Sequence, residues 1–470
     1  MVLVITWVLR DRRLQNAWLL VASYVFYGWL SPPMTLLLFG VTASNYVAAL
    51  ALTRWPALRT PILTTTVVAS LANLAAFKYF GWFIADIAPR LHSNAETSAL
   101  QTVRYAVPLG LSFYTFHNLS YTIDVYRGRF TARTNPIDYF LYGAYFPQLV
   151  AGPVERASNV LPQLEAPRRL DAERLLSGFG LALWGAFKKL VLADTIAPYV
   201  DLVFQADDVS APLLWSGVLG FTIQVLADFS GYTDIARGVS RMLGIELMEN
   251  FAHPYLAATP MEYWQRWHIS FSTWLRDYVY LPACFSDGVR KFVTIPGTGE
   301  WGPFANTTRA LLITLLLSGL WHGTTANFLV WGLYYTVLGT IYAAIVARLP
   351  RTLKRDARWR WVTVPLMFGW TLVGMHLFRE PDVHRLLHHF TLNPFEASPE
   401  QWLVTSAMIG LCAYAATPLV AALLYERYLH PWLSRSLLYP AARTVAWAFM
   451  VVALLAAHRQ TTGDFIYFQF

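Results

Sequence analysis

The sequence predicts an all-helical integral membrane protein with about eleven crossings, and three observations carry that prediction. Of its 470 residues, 56% are hydrophobic and only 14% charged, against about 25% charged in an ordinary soluble domain; the mean hydropathy is +0.39. Apolar runs of roughly 18 residues or more recur from end to end, each long enough to cross about 30 Å of hydrocarbon as a helix. The 19 Trp, 25 Tyr and 29 Phe suit the headgroup level, where a ring with one polar edge sits half wet and half dry. A soluble multidomain enzyme is excluded.

In chain order, residues 1–9 are apolar but lack a basic start and a small-residue cleavage site, so the first helices are expected to insert uncleaved. Spans are expected at 14–30, 34–52, 62–87, 103–123, 139–154, 175–199, 213–229, 310–326, 328–347, 361–378, 402–424 and 442–458. Polar interruptions make some of these re-entrant or interfacial. The chain is expected to form one polytopic domain, 1–470. Its parts are N-terminal helices (14–230), an aromatic-rich interfacial or re-entrant stretch (231–302), a helix pair carrying a central histidine (303–347), C-terminal helices (361–458) and an aromatic tail (459–470).

The net charge of +8 lies in short loops, where the positive-inside rule and anionic membrane lipid explain it and nucleic acid does not. Arg348, Arg351, Lys354, Arg355, Arg358 and Arg360 are expected on the cytoplasmic side with Arg10, Arg12 and Arg13, which would leave the C-terminus on the far side. Cys284 and Cys412 are far apart and have no C-x-x-C spacing, so they read as packing residues rather than a disulfide or zinc ribbon. No internal repeat of fixed period is present, which argues against a transporter built from duplicated halves.

The sharpest chemical feature is His322, an ionisable ring in an apolar run with small Ser318, Gly319 and Gly323 beside it. Such residues are scarce inside membranes and face a protein cavity or water path, while small neighbours let another group approach closely. The plainer alternative is a neutral imidazole hydrogen-bonded to a neighbouring helix. His268, in Trp264-Gln265-Arg266-Trp267-His268, is the second candidate: a dehydrated imidazole stays neutral and can take a proton from a hydroxyl. Its alternative is an interfacial side chain reaching headgroups together with Arg266.

His384, His388 and His389 imitate metal-ligand spacing without a third ligand in a set pattern, so a solvated face is expected and no metal is assigned. His117, His253, His376, His430 and His458 fall near span ends, where interfacial placement accounts for them. Asp124, Glu155, Asp194, Asp228 and Asp234 lie in or near apolar segments. Each should line a cavity or pair with Arg156, Lys188 or Arg237. No nucleophile elbow, Walker loop, Rossmann glycine pattern or zinc-protease helix occurs.

Five blocks then stand out together: PLGLSFYTFHNLSYTIDVYRG from Pro108, YFPQLVAGPVERASNVLPQL from Tyr145, DFSGYTDIARGVSRMLGI from Asp228, WQRWHISFSTWLRDYVYLP from Trp264 and LLSGLWHGTTANFLVWGLYY from Leu316. In this order they resemble the membrane-bound O-acyltransferase family, in particular the branch of alginate O-acetyltransferase membrane subunits.

The resemblance implies a ring of helices around a central funnel, with His322 matching the essential histidine and His268 the second polar position. Trp264, Gln265, Arg266, Trp321, Asn327 and Asp228 are expected to line the cavity. It further implies an acetyltransferase of the bacterial inner membrane, with no tightly bound cofactor and a thioester donor such as acetyl-CoA or an acyl carrier. The implied partners are a soluble periplasmic, esterase-like acetyltransferase of SGNH type and the polysaccharide export machinery. The tail GDFIYFQF is similar to tails in relatives, where a tyrosine is thought to relay the acyl group, and that places Tyr467 as the relay; an interfacial anchor is the alternative. Relatives usually begin with a longer apolar helix, so the start at Met1 looks short. Acceptors such as peptidoglycan or a D-alanyl ester of teichoic acid fit the same family, and a transporter with His322 on its permeation path is the rival from another class.

Overall fold

The computed structural model describes residues 1–82, 108–150, 152–285, 303–349 and 357–457. Tyr467 with the rest of the expected tail, His458, Arg351, Lys354 and Arg355 lie outside them. The described elements are helices. Eight are long and apolar enough to cross a membrane: Pro32–Arg54, Pro56–Tyr79, Ala172–Gln205, Ala211–Met242, Ala326–Arg348, Arg360–Arg379, Pro399–Leu433 and Tyr439–Ala457. Each coincides with an expected span. Three further expected spans form the helices Arg12–Leu30, Leu111–Tyr126 and Pro303–His322, which fall outside that set of eight.

The expected span at 139–154 is a correction. Its composition is apolar enough, but Tyr145 leaves helical dihedrals (φ −56°, ψ 109°) just before Phe146-Pro147, and the segment breaks into Pro136–Ala144 and Phe146–Leu149. Proline tolerates only the first turn of a helix because it lacks the N–H that later turns need. The apolar character serves a protein core. Tyr139, Tyr142 and Tyr145 are fully buried, and each hydroxyl is satisfied: Tyr139 donates to Asn118 Oδ1 (2.7 Å), Tyr142 to the His117 carbonyl (3.0 Å), and Tyr145 shares a 3.1 Å bond with Ser240 Oγ.

The chain resolves into two compact units, Met1–Ala182 with Ala236–Met248 and Leu183–Ile235 with Glu249–Phe470. In the first, the tyrosines pack with Leu19, Ala49, Leu161 and Ile245 in a hydrophobic core. His117, expected at an interface, is instead fully buried there, with Nε2 3.2 Å from the Pro153 carbonyl. A carbonyl only accepts, so Nε2 carries the proton. Glu155 is also fully buried and takes a bond from Asn159 Nδ2 (2.8 Å) and one from the Met248 N–H. Burial pushes its carboxyl up to about 7 against those bonds.

The second unit contains buried lysine–carboxylate pairs. The expected break at Gly231 does not occur, because Ala211–Met242 runs as one helix of 32 residues. Gly231 marks a close approach instead: a Cβ there would stand 2.8 Å from the Gly185 carbonyl, and one on Gly185 would stand 2.5 Å from the Gly231 carbonyl. Small residues let membrane helices touch backbone to backbone. The polar residues around this contact pair with one another. Lys188 Nζ meets Asp234 Oδ2 at 2.6 Å and Ser230 Oγ at 2.8 Å, while Lys189 Nζ meets Asp194 Oδ1 at 2.8 Å and Asp228 Oδ1 at 2.5 Å. Lys188 was anticipated as a partner, Lys189 was not.

Lys189 reaches Asp194 because Phe187–Ala193 is a π-helical turn. Five residues apart in an α-helix point about 140° from each other, from 3.6 residues per turn. The i→i+5 bonding of a π turn brings such positions onto one face.

Candidate active site

His322 and His268 both belong to the second unit, and both are buried, at 7% and 2% exposure. His322 is the last residue of Pro303–His322; Gly323 and Thr324 then turn the chain into Ala326–Arg348, whose N-cap is Thr325. The expectation of a span continuing to 326 is therefore shortened. The turn is tight because of small residues. A Cβ on Gly319 would collide with the Phe328 carbonyl, one on Gly323 with the Phe328 ring, and one on Gly332 would lie 2.6 Å from the Leu315 carbonyl.

Gly319→Ala therefore forces the two helices apart at the histidine. Overpacking of this kind costs about 1–3 kcal/mol. A lower thermal midpoint in detergent, accompanied by loss of activity, is the expected result.

An aromatic box surrounds the His322 imidazole. Ring centroids lie at 4.7 Å for Trp321, 4.8 Å for Phe378, 5.5 Å for Trp331 and 6.1 Å for Phe328. The Phe378 and Trp331 rings stand edge-on, the arrangement that ring quadrupoles favour. Phe271 is 6.4 Å from His322 and 5.1 Å from His268, and Trp321 is 6.4 Å from His268. The two imidazoles, 54 positions apart in sequence, thus share two aromatic neighbours.

His268 precedes Ile269–Leu275 as its N-cap, in the left-handed region at φ 43° and ψ 52°. Only His253 shares a positive φ among the described residues that are not glycine. Such backbone is unfavourable for a residue with a Cβ and is held by its surroundings. Here Asn250 holds it: its side-chain oxygen lies 3.1 Å from His268 Nδ1, 3.1 Å from Ser270 N and 2.8 Å from Ser270 Oγ. The rings of Phe229 (4.7 Å) and Phe251 (6.4 Å) close the other sides. Burial pushes the His268 imidazole down to about 3, so it is neutral at any physiological pH.

The remaining candidates divide. Trp321 joins both histidines. Trp264 is half-buried and packs on Trp331 (5.9 Å) and Tyr335 (5.2 Å), one ring removed from His322. Asn327 is buried, and its amide donates to the Leu377 and Phe378 carbonyls at 3.1 Å each, closing the end of Arg360–Arg379 and fixing the helix that carries Phe378 against His322. Gln265 is exposed. Arg266 bonds Glu262 and the Ala252 carbonyl, and Glu262 also takes Arg360, so Arg266 is committed to an ion-pair network. Asp228 is committed to Lys189.

Of the H-x-x-x-H-H cluster, His384 and His388 are exposed as expected. His389 corrects the expectation of a solvated face: it is buried, with Nδ1 3.3 Å from Nε2 of the fully buried His376, which was itself expected at an interface. His376 sits among Phe204, Trp215 and Phe390. His253 pairs with Glu426 at 3.1 Å.

Asn250, Lys189 and the ring set Phe271, Trp331 and Phe378 were not singled out from sequence. Asn250 is 18 positions from His268 on a non-helical segment, a separation with no periodic signature. The aromatics are common enough in this composition that none announces a role.

Comparison with known proteins matches this same stretch. The profile of the membrane-bound O-acyltransferase family covers residues 114–372, which include both imidazoles and Asn250. A protein of Azotobacter vinelandii named as a probable alginate O-acetylase is 36% identical over 375 residues, 77% of this chain and 70% of the relative. A peptidoglycan O-acetyltransferase of Helicobacter pylori is 29% identical, covering 70% of this chain and 64% of its own length. A teichoic acid D-alanyltransferase of Bacillus subtilis is 26% identical over 60% of this chain and 70% of its own. These three are acyl-transfer proteins. With a family profile laid over more than half of the residues, a buried, ring-lined pair of histidines inside that profile, and eight helices among the described residues fit to cross a bilayer, the chain belongs to the membrane-bound O-acyltransferase family.

Proposed function

We propose that this membrane acyltransferase transfers an acetyl group from a cytosolic thioester, acetyl-CoA or an acylated carrier, toward an exported polysaccharide of alginate type at the bacterial inner membrane. The observation that carries the proposal is the buried pair His322 and His268 with its shared rings Phe271 and Trp321. Greater identity to the alginate O-acetylases than to the peptidoglycan and teichoic acid enzymes favours the alginate-type acceptor.

In this reading His322 is the general base. It takes the proton of an acceptor hydroxyl as that oxygen bonds to the acyl carbon; the C–S bond breaks and the proton passes to the departing thiolate, giving an ester and a thiol. His268 assists at the hydroxyl. The aromatic box keeps water, a competing acceptor, from the thioester. Tyr467 serves as the relay hydroxyl, whose ester a soluble esterase-like partner then uses on the polysaccharide.

The test is thiol release by purified protein in liposomes, given acetyl-CoA with and without a hydroxyl acceptor. Acceptor-dependent release, with acetyl recovered as ester, is expected. Absence of release with acetyl-CoA and with an acylated carrier overturns the proposal in favour of transport.

A further inference from the structure

We infer that Asn250 is a positioning residue that fixes His268 in the tautomer protonated at Nδ1, so that His268 offers the reaction a hydrogen-bond acceptor at Nε2. This rests on the reading of His268 as part of the acyl-transfer site.

The geometry leaves one assignment. Ser270 N is a backbone donor and lies 3.1 Å from the Asn250 side-chain atom, so that atom is the amide oxygen and not the nitrogen. An amide oxygen cannot donate. His268 Nδ1, 3.1 Å from the same atom, must therefore carry the hydrogen. A neutral imidazole has one proton, so its lone pair is on Nε2. Burial keeps the ring neutral.

The clamp is rigid. The Asn250 backbone carbonyl accepts from Ile269 N at 2.9 Å, so three consecutive residues, 268 to 270, bond to Asn250. Its amide nitrogen is turned toward Thr233 Oγ1 at 3.4 Å, on the Ala211–Met242 helix. This network holds His268 in its left-handed backbone. Through the bond to Nδ1 it also decides which face of the ring chemistry the substrate meets. In the opposite tautomer Nε2 would be a donor and would repel the O–H of an incoming alcohol. With the lone pair there, the alcohol donates to His268 as it docks, which orients its oxygen toward the acyl carbon before the O–H turns to His322, the base.

Asn250 also caps a helix, so the test must separate capping from tautomer control. Asn250→Asp retains the acceptors but places a carboxylate on Nδ1–H, which raises the imidazole pKa. Below that raised pKa the ring is an imidazolium and Nε2 has no lone pair. The variant should keep part of its activity at alkaline pH and lose it on acidification, with the acid limb of its pH profile at least one unit above wild type. Asn250→Ala should lose about tenfold or more across the range, with no such displacement. A wild-type pH profile in Asn250→Asp leaves only a capping role and overturns the inference.

Nitrogen-15 solid-state spectra of histidine-labelled protein in lipid, assigned by subtraction of His268→Gln, supply a readout that needs no activity. Protonated Nδ1 and unprotonated Nε2 in wild type, altered in Asn250→Ala, are expected; protonated Nε2 in wild type overturns the inference. If His268→Ala retains full activity, the catalytic reading of His268 fails, and the spectra still decide the role of Asn250.

Discussion

His322→Gln is expected to lower acyl transfer by about 10²–10⁴-fold, the contribution general acid–base catalysis makes, while leaving the protein folded. Glutamine is close to histidine in size, so the box of Trp321, Phe328, Trp331 and Phe378 keeps a filler. The amide cannot take up a proton near neutrality. His322→Ala should lose as much activity and should also be less stable, since a void among four rings forfeits their dispersion contacts. Turnover of acetyl-CoA in liposomes, with thermal midpoints taken on the same samples, separates the two effects. Activity of His322→Gln near wild type would return His322 to a packing role. Equal loss in both variants, with only the alanine destabilised, assigns it to the chemistry.

The candidate site was legible where a residue conflicts with its surroundings. His322 among leucines and His268 among tryptophans are conspicuous because an ionisable ring in an apolar run demands a reason, and the structure brings both to one cluster. The apolar runs were equally plain, since length and hydropathy alone decide whether a helix can cross a bilayer. Composition failed at 139–154, because Tyr139, Tyr142 and Tyr145 are apolar enough for lipid but face a protein core. Hydropathy does not distinguish those two solvents. It failed again for His117 and His376, where position near a span end implied an interface, and for His389, expected on a solvated face; tertiary packing buries all three. Asn250 was beyond reach altogether: its contacts with residues 268 to 270 follow from chain tracing, not from any local period.

Lys189 was missed for a related reason, and the largest stability effect is expected there. Periodicity searches use the α-helical spacings of three and four, whereas Lys189 and Asp194 meet at five through the π turn. Their ion pair, with Asp228 as the second carboxylate, is buried to within 3–7% side-chain exposure. Removing one partner of such a group strands the others, at about 3–5 kcal/mol. Lys189→Met keeps the aliphatic stem but leaves two carboxylates, Asp194 and Asp228, without the ammonium between them. It should unfold at markedly lower temperature in detergent than Lys188→Met, because Lys188 faces a single carboxylate, Asp234, which is less completely enclosed at 14% side-chain exposure. The loss should be reversed largely by adding Asp194→Asn and Asp228→Asn to Lys189→Met, since neutral amides need no counter-charge. Wild-type stability in Lys189→Met alone would mean that the triad does not hold the Ala172–Gln205 and Ala211–Met242 helices together. The glycine contact at Gly185 and Gly231 would then carry that junction. Failure of the triple variant to recover would show instead that the hydrogen-bond geometry of the carboxylates, and not their charge, is what the π turn exists to satisfy.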